Sequence, residues 1–366
     1  MPRARILIVD DSVVMRRWLT DALSRDPRLE VAGSAANGRI ALMKIPLLRP
    51  DVVLLDIEMA GADVLGILAA ILKAHPLLPV VMINVPTEQG AAATLDALAV
   101  GAKDYVTKPD ISSSSDDALR NLRDELASKI MALCPNSAEK LSSDSLVLNP
   151  VGTSALNTIA SRLAKRVDVV AIGASIGGPN ALMDIIPQFP SDFPVPILIV
   201  QHIPPILSKL LAERLAARCK VRVAEGSLHQ ILLPGSAWIA PGNLHMTVER
   251  ELKTVRIRTS QGPSENSCRP AVDVLFRSVA EVYGAHSLVV VMTGMGQDGL
   301  RGCQQIRAVG GQVLAQDEAS SVVWGMPKAV VETGIADQIL PLSELGPEII
   351  SRVMKHRLEQ HAAVEL

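Results

Sequence analysis

The chain has 366 residues and a formal net charge of −2, and charged residues make up 20% of it. This length allows two domains of ordinary size, and the near-neutral charge excludes a broad basic surface for nucleic acid. Hydrophobic residues make up 48% of the chain but aromatic residues only 2%, so aliphatic side chains build the cores and stacking on bases is not its main activity.

Cysteine use and the lack of targeting signals predict a cytoplasmic protein. The four cysteines (Cys134, Cys219, Cys268 and Cys303) are scattered, with no C-x-x-C pair and no metal-ligand spacing. This pattern is typical of a reducing compartment. The amino terminus leads into an apolar strand rather than a signal peptide, and no apolar run reaches transmembrane length. We therefore expect a cytoplasmic protein without membrane insertion.

The first part of the chain alternates apolar strands with helical patterns. The strand-like runs are residues 6–9, 29–33, 51–56, 80–83 and 104–109. Such alternation predicts right-handed crossovers and a parallel sheet. Asp10, Asp11, Asp56 and Lys108 each fall at the carboxyl end of a strand, where parallel sheets place their sites.

Carboxylates gathered at that edge would repel one another unless a divalent cation such as Mg²⁺ lies between them. A carboxylate beside Mg²⁺ and a lysine ammonium can accept a phosphoryl group, because both cations neutralise the transferring oxygens. Each aspartate taken singly is also explained as a helix cap. Their coincidence at several strand ends favours a phosphoryl-accepting site.

At these residues the chain resembles the receiver domain of two-component response regulators, over about residues 4–133. The resemblance implies a flavodoxin-like, five-stranded parallel sheet. It implies that Asp56 accepts phosphate from a sensor histidine kinase. Asp10 and Asp11 would be the acidic pair of the site, and Lys108 would be its lysine. Mg²⁺ would be held by Asp11, Asp56 and the backbone of Glu58.

Three positions depart from the receiver pattern. Asn84 stands where receivers carry Thr or Ser after the fourth strand, Ala60 replaces a proline, and Val64 replaces a glycine. A β-branched residue at position 64 falls where backbone freedom is expected. We therefore expect this domain to be phosphorylated but to pass the signal on weakly.

The receiver-like part is followed by a helix and a linker. Apolar residues at helical spacing follow a predicted helix start at 115–117, and we expect their face to pack on the sheet of the same domain; they are Leu119, Leu122, Leu126, Ile130 and Leu133. Residues 134–166 are rich in serine, asparagine and small residues, and this composition predicts an interdomain linker with some helix near 156–164.

A glycine-rich turn with one serine, residues 173–178, follows an apolar run and has three interpretations. A dinucleotide loop requires G-x-G-x-x-G, but Ser175 occupies the second glycine position. A G-x-S-x-G turn would expose Ser175 as a nucleophile. A plain turn is the third possibility.

Two later strands also end in polar residues, and these favour the nucleophile. The run 195–200 leads to His202, and the run 287–292 leads to a loop containing Asp298. The carboxyl ends of parallel strands share one edge, so serine, histidine and aspartate can meet there as acyl-transfer chemistry requires. Taken singly, His202 is explained as a buried structural imidazole and Asp298 as a helix cap, and His245 competes for the role of base.

The chain order Ser, His, Asp differs from the Ser, Asp, His order of α/β-hydrolases. At these residues the second domain resembles the catalytic domain of the chemotaxis protein-glutamate methylesterases, the CheB family. The motifs that carry the resemblance are residues 173–178, 201–204, 239–242, 269–276, 293–299 and 315–320. The resemblance implies a doubly wound α/β domain with a mostly parallel sheet. The predicted organisation is a receiver domain (1–133), a linker (134–166), a catalytic domain (167–358) and a tail (359–366).

The resemblance implies hydrolysis of glutamyl methyl esters on the cytoplasmic part of chemoreceptors, releasing methanol, and deamidation of receptor glutamines. Ser175 would be the nucleophile, His202 the base, Asp298 the orienting acid, and the N–H groups of Ile176 and Met295 the oxyanion donors. Ile176 stands where the family usually has threonine. Mg²⁺ would serve only receiver phosphorylation, and the esterase would need no cofactor.

Two alternatives stay open at this stage. A non-catalytic adaptor would join a receiver to a receptor-binding domain, and a nucleotide-binding module would use the turn at Gly177 and Gly178. We expect a monomer in each case.

Overall fold

The computed structural model describes residues 3–108, 116–134 and 166–364. The chain forms two compact units that divide between Leu148 and Asn149. The predicted linker and its helix near 156–164 lie outside the described residues, apart from Cys134 and Arg166 at its edges. The predicted domain boundaries at 133, 166 and 358 therefore stay predictions.

The first unit is built on a five-stranded parallel sheet with the order β2-β1-β3-β4-β5. Its strands are β1 (Ala4–Val9), β2 (Leu29–Ala35), β3 (Val52–Asp56), β4 (Val80–Asn84) and β5 (Asp104–Thr107). Its helices are α1 (Val13–Leu23), α2 (Gly38–Leu48), α3 (Val64–Ala74), α4 (Glu88–Val100) and α5 (Asp116–Leu133). The predicted flavodoxin-like class of this unit is confirmed.

The apolar face of α5 packs on this sheet, as predicted. Leu122, Leu126 and Ile130 are buried in one cluster with Ile8 and Leu54 of the central strands. Burial of large aliphatic side chains on both faces of the sheet explains why its strands read as continuous apolar runs. Since each run ends where the strand ends, the polar residues that follow all reach the same edge.

The second unit contains a seven-stranded parallel sheet with the order β14-β13-β12-β6-β7-β9-β8. Its strands are β6 (Val169–Ala174), β7 (Ile197–Gln201), β8 (Arg222–Glu225), β9 (Ser236–Ile239), β12 (Ser287–Val291), β13 (Gln312–Gln316) and β14 (Gln338–Leu340). Its helices are α6 (Gly178–Ile185), α7 (Pro205–Ala216), α8 (Val272–Tyr283), α9 (Leu300–Ala308), α10 (Met326–Glu332) and α11 (Leu342–Val364). The predicted mostly parallel α/β class is confirmed.

One hairpin stands outside this sheet. Strands β10 (His245–Glu251) and β11 (Thr254–Ser260) pair antiparallel, and their apolar side chains join a core cluster with α8. The hairpin carries the chain from β9 to the loop that precedes α8. That loop and the carboxyl ends of the neighbouring strands β12, β6 and β7 form the candidate site.

Among the residues that the structure describes, no helix combines the length and apolar character that a membrane crossing requires.

Candidate functional sites

Ser175 lies at the carboxyl end of β6, in the turn that leads into α6. Its backbone is held on both sides: its N–H donates to the carbonyl of Thr293 (2.9 Å), and its carbonyl accepts from Gln201 Nε2 (2.8 Å). The turn closes through Gly177, whose φ of +78° is in the left-handed region that favours glycine. The side chain of Ser175 is partly exposed, and its hydroxyl has no hydrogen-bond partner among the described residues. The hydroxyl is therefore not committed to another group in this part of the structure.

His202 follows β7 directly and is oriented by Asp298. Its Nε2 lies 2.8 Å from Asp298 Oδ2, and its backbone N–H donates to the carbonyl of Ala174 at the end of the adjacent strand (3.1 Å). Only 13% of the imidazole is exposed. A neutral ring that donates from Nε2 leaves Nδ1 as a proton acceptor.

Asp298 is fixed mainly from the start of α8. Its Oδ2 also accepts from the N–H of Val272 (2.7 Å), and its Oδ1 accepts from the N–H groups of Asp273 (3.0 Å) and Gly299 (2.9 Å). Burial opposes ionisation of this carboxyl, but the hydrogen bonds from His202 and from the backbone N–H groups outweigh it and hold its pKa below the ordinary value. Asp298 is thus an ionised acceptor rather than a simple cap of α9.

The pKa of His202 is shifted by opposing causes. Burial favours the neutral ring, but the hydrogen bond to Asp298 and the contact with Cys268 favour the imidazolium and raise its pKa to about 9. The ring is therefore mostly protonated at neutral pH in the absence of substrate.

Two further residues of this site, Asn266 and Cys268, lie in a tight turn before α8 and were not predicted from the sequence. Asn266 and Ser267 both have positive φ (52° and 62°), as in a type I′ turn, and Glu265 and Cys268 bond each other's backbone across it. Asn266 Nδ2 donates to Asp298 Oδ1 (2.8 Å), and Cys268 Sγ lies 3.5 Å from His202 Nδ1. Nothing in the linear pattern pairs these residues with strand ends far along the chain.

His245, the competing base, is a structural residue. It is buried, its Nε2 lies 2.9 Å from the carbonyl of Pro263, and its Nδ1 accepts from the N–H of Ala271. Both ring nitrogens are therefore used by the backbone.

The loop after β12 approaches the serine turn closely. A Cβ on Gly294 would lie only 2.8 Å from Ser175 Cβ, so only glycine permits this packing. The backbone N–H groups of Ile176 and of Met295, the residue after Gly294, have no acceptor among the described residues. The side chain of Ile176 is buried, whereas Met295 is 38% exposed.

A second cluster lies at the carboxyl edge of the first sheet. One carboxylate oxygen each from Asp10, Asp11 and Asp56 lie within 4.8 Å of one another, and Asp10 and Asp56 are buried. Lys108 Nζ lies 3.2 Å from Asp10 Oδ2 and 2.8 Å from Asp56 Oδ2. Burial raises the pKa of Asp10, with Lys108 opposing and Asp56 reinforcing the rise.

The donor set of this cluster suits Mg²⁺, which prefers carboxylate and carbonyl oxygens. Asp11 Oδ2 accepts from the N–H of Ala60 (2.9 Å), and Asp56 Oδ1 from that of Glu58 (3.3 Å), so the 58–60 loop is tied to both carboxylates. Three carboxylates gather in this cluster beside the ammonium of Lys108. A further cation is therefore accommodated on electrostatic grounds.

Asn84 is buried at the end of β4, and its amide is directed at α4. Nδ2 donates to Thr94 Oγ1 (2.8 Å), while Oδ1 is buried and unpartnered among the described residues. One N–H of the Asn84 amide is thus engaged within the domain.

The expectation for Val64 is wrong. Val64 is the first residue of α3, capped by the side chain of Asp63, which accepts from the N–H of Gly66. A helical backbone there needs no glycine, because only a positive φ would demand one.

Both units match known protein families. A family model described as CheB methylesterase matches residues 170–349, and one described as response regulator receiver domain matches residues 6–116. A protein-glutamate methylesterase/protein-glutamine glutaminase of Trichodesmium erythraeum is 51% identical over 354 residues, covering 96% of this chain and 100% of that protein. The protein of the same name from Nocardioides sp. is 44% identical, covering 98% and 97% of the two chains.

Among solved structures, the catalytic domain of the Thermotoga maritima CheB methylesterase is 38% identical, with a TM-score of 0.50, and covers 51% of this chain and 99% of that one. The chain therefore belongs to the CheB methylesterase family, with a receiver domain in front of the esterase domain.

Proposed function

We propose that this protein is a phosphorylation-regulated methylesterase that hydrolyses glutamyl methyl esters on chemoreceptors and deamidates receptor glutamines. The observation that carries the proposal is that the His202–Asp298 pair and the Ser175 hydroxyl, which has no partner among the described residues, lie at the carboxyl ends of the adjacent strands β7 and β6. Relatives over the full length of the chain bear the names of both activities. A non-catalytic adaptor would not need this complete set of groups.

In the proposed reaction, Ser175 Oγ attacks the ester carbonyl while His202 Nδ1 accepts its proton. The N–H groups of Ile176 and Met295 stabilise the oxyanion, since they have no other acceptor among the described residues. His202 then protonates the departing methoxide, and methanol leaves. Water, activated by the same nitrogen, hydrolyses the acyl-enzyme. Asp298 holds the ring and stabilises its charge, and an amide substrate releases ammonia by the same steps.

We further propose that Asp56 accepts phosphate from a sensor histidine kinase. Asp11, Asp56 and the backbone carbonyl of Glu58 would hold Mg²⁺, which neutralises charge on the transferring oxygens. Lys108 Nζ, 2.8 Å from Asp56 Oδ2, is placed to stabilise the phosphorylated form. A cytoplasmic, monomeric protein is proposed as well; its cysteines are all free thiols, as a reducing compartment requires.

The decisive experiment measures methanol release from methylated chemoreceptor, and ammonia release from its glutamine form, with and without a small phosphodonor and Mg²⁺. We expect methanol release that increases with the phosphodonor. Receptor binding without methanol or ammonia release would support the adaptor instead.

A further inference from the structure

The candidate active site also contains the donor atoms of a soft-metal site. His202, Cys268 and Asp298 each offer one ligand atom within 4.8 Å of the others. This cluster differs from the acidic cluster of the receiver because it includes a thiol and an imidazole. Cysteine and histidine are the ligands that Zn²⁺ prefers, whereas Mg²⁺ prefers oxygen.

The separation of the two softest donors suits zinc. Cys268 Sγ and His202 Nδ1 are 3.5 Å apart. Zinc–sulfur and zinc–nitrogen bonds of about 2.3 Å and about 2.0 Å, at a tetrahedral angle, place the two donors about 3.5 Å apart. An ion can therefore bind both atoms with little movement of either side chain.

The surroundings hold both donors in place. Asp298 accepts from the opposite nitrogen of His202, and this is the carboxylate–histidine arrangement that supports zinc ligands in proteins. The turn that carries Cys268 is tied to α8 by two short hydrogen bonds from Arg277 to Glu265, both 2.6 Å. Both donors are partly exposed, so an ion from solvent can reach them.

We propose that His202 Nδ1 and Cys268 Sγ form an inhibitory site for Zn²⁺, with Asp298 supporting the histidine from its other side. Binding displaces to solvent the thiol proton and, at neutral pH, the proton that the imidazolium carries on Nδ1, and it occupies the nitrogen that the proposed esterase uses as its base. Water molecules complete the coordination. The inhibitory effect rests on the proposed esterase function, but metal binding does not.

The experiment uses the full chain, freed of metal with a chelator and then dialysed. Esterase rates are measured against increasing ZnCl₂ for the natural protein, for Cys268→Ser and for Cys219→Ser, each relative to its own zinc-free rate. Cys219 is the matched control, a partly exposed cysteine elsewhere in the same unit. We expect zinc to inhibit the natural protein and Cys219→Ser alike, and Cys268→Ser to need about 100-fold more zinc because it lacks one ligand. MgCl₂ should not inhibit any of the three.

Direct binding is measured with Co²⁺, whose bond to a thiolate gives a charge-transfer absorption in the near ultraviolet. This band should appear in the natural protein and in Cys219→Ser, be absent in Cys268→Ser, and disappear when Zn²⁺ displaces Co²⁺. Equal zinc inhibition of Cys268→Ser, or no thiolate band in the natural protein, would overturn the proposal. A Cys268-dependent band in a protein without esterase activity would refute the proposed function and leave the metal site standing.

Discussion

Asp298 shows how single side chains specify the chemistry of the candidate active site. It accepts hydrogen bonds from His202, from Asn266 and from three backbone N–H groups, so both oxygens are fully used. A buried carboxylate is stable only when its charge is met in this way. The same bonds fix the orientation of the imidazole, which is the property that a general base needs.

Ser175→Ala tests the nucleophile. The change removes one hydroxyl, of a partly exposed serine, that has no partner in the part of the chain that the structure describes, so the free energy of unfolding should change by less than about 1 kcal/mol. Methanol release should fall by about 10⁶-fold, as expected when a triad loses its nucleophile. Ser227→Ala, at an exposed serine in a loop, is the control and should retain full activity. Substantial activity in folded Ser175→Ala would refute the assignment.

The pKa of His202 predicts an alkaline pH dependence. The ring can accept the serine proton only when neutral, so the rate measured with chelator present should rise with pH up to about 9. Cys268 is among the groups that raise this pKa, together with Asp298, so Cys268→Ala should move the profile to lower pH. Cys219→Ala should leave it in place. A profile that is flat from neutral pH to pH 9 in the natural protein would contradict the prediction.

Asn84→Thr tests the readout of phosphorylation. One N–H of the Asn84 amide donates to Thr94, and asparagine lacks the hydroxyl that the receiver pattern has at this position. Restoring that hydroxyl should add about 1 kcal/mol to the preference for the active state and raise activation by phosphodonor several-fold. Adding Asp56→Asn to this variant should abolish the gain. Equal, large activation of the natural protein and Asn84→Thr would show that asparagine suffices.

At the scale of elements, the site depends on loops that are held at close range. The loop after β12 packs directly on the serine turn at Gly294, and the turn before α8 reaches across to β7 and to Asp298. Left-handed residues at 266, 267 and 296 bend these loops back toward the sheet edge. Backbone conformations of this kind concentrate at functional sites, where surrounding contacts hold them.

Gly294→Ala tests the contact between the two loops. The added methyl group would lie 2.8 Å from Ser175 Cβ and 2.4 Å from Met326 Sδ, so the loop must shift. We expect a loss of about 2 kcal/mol in stability and a larger proportional loss in kcat, since Met295 moves with the loop. Gly262→Ala is the control, because its nearest neighbour would lie at an ordinary 3.6 Å. Thermal unfolding and steady-state kinetics measure both effects; unchanged kcat in Gly294→Ala would exclude Met295 from the oxyanion site.

At the scale of the whole molecule, we propose different metal requirements for the two units. EDTA should prevent phosphorylation of Asp56 by a small phosphodonor, because we propose that the acidic cluster binds Mg²⁺ for this reaction. It should spare the basal esterase, whose proposed groups are a hydroxyl, an imidazole and a carboxylate. Phosphate incorporation and methanol release are measured on the same sample. Loss of basal activity that returns on adding metal would contradict a metal-free esterase.

Much of the fold could be predicted from the local pattern of apolar and polar residues in the sequence. Apolar runs that alternate with helical segments predict parallel sheets, and the residue that ends each run must lie at the carboxyl edge. Asp10, Asp56, Ser175 and His202 are all placed by this rule, since it depends only on the order of residues around each strand. The fold class and the family follow from the same local motifs.

Tertiary structure alone decided the contacts between loops. Cys268 and Asn266 reach the site through a turn. The two residues of this turn with a left-handed backbone, Asn266 and Ser267, are not glycines, so no local sequence signal predicts the turn. The tertiary structure also decided that the Asn84 amide donates to Thr94 of α4. It likewise decided that Val64 is the first residue of α3 and has a helical backbone. Pairs such as Cys268 and His202 are 66 residues apart, and their meeting depends on the packing of every element between them. The thiol beside the His202 imidazole is therefore a property of the folded chain and not of any motif in it.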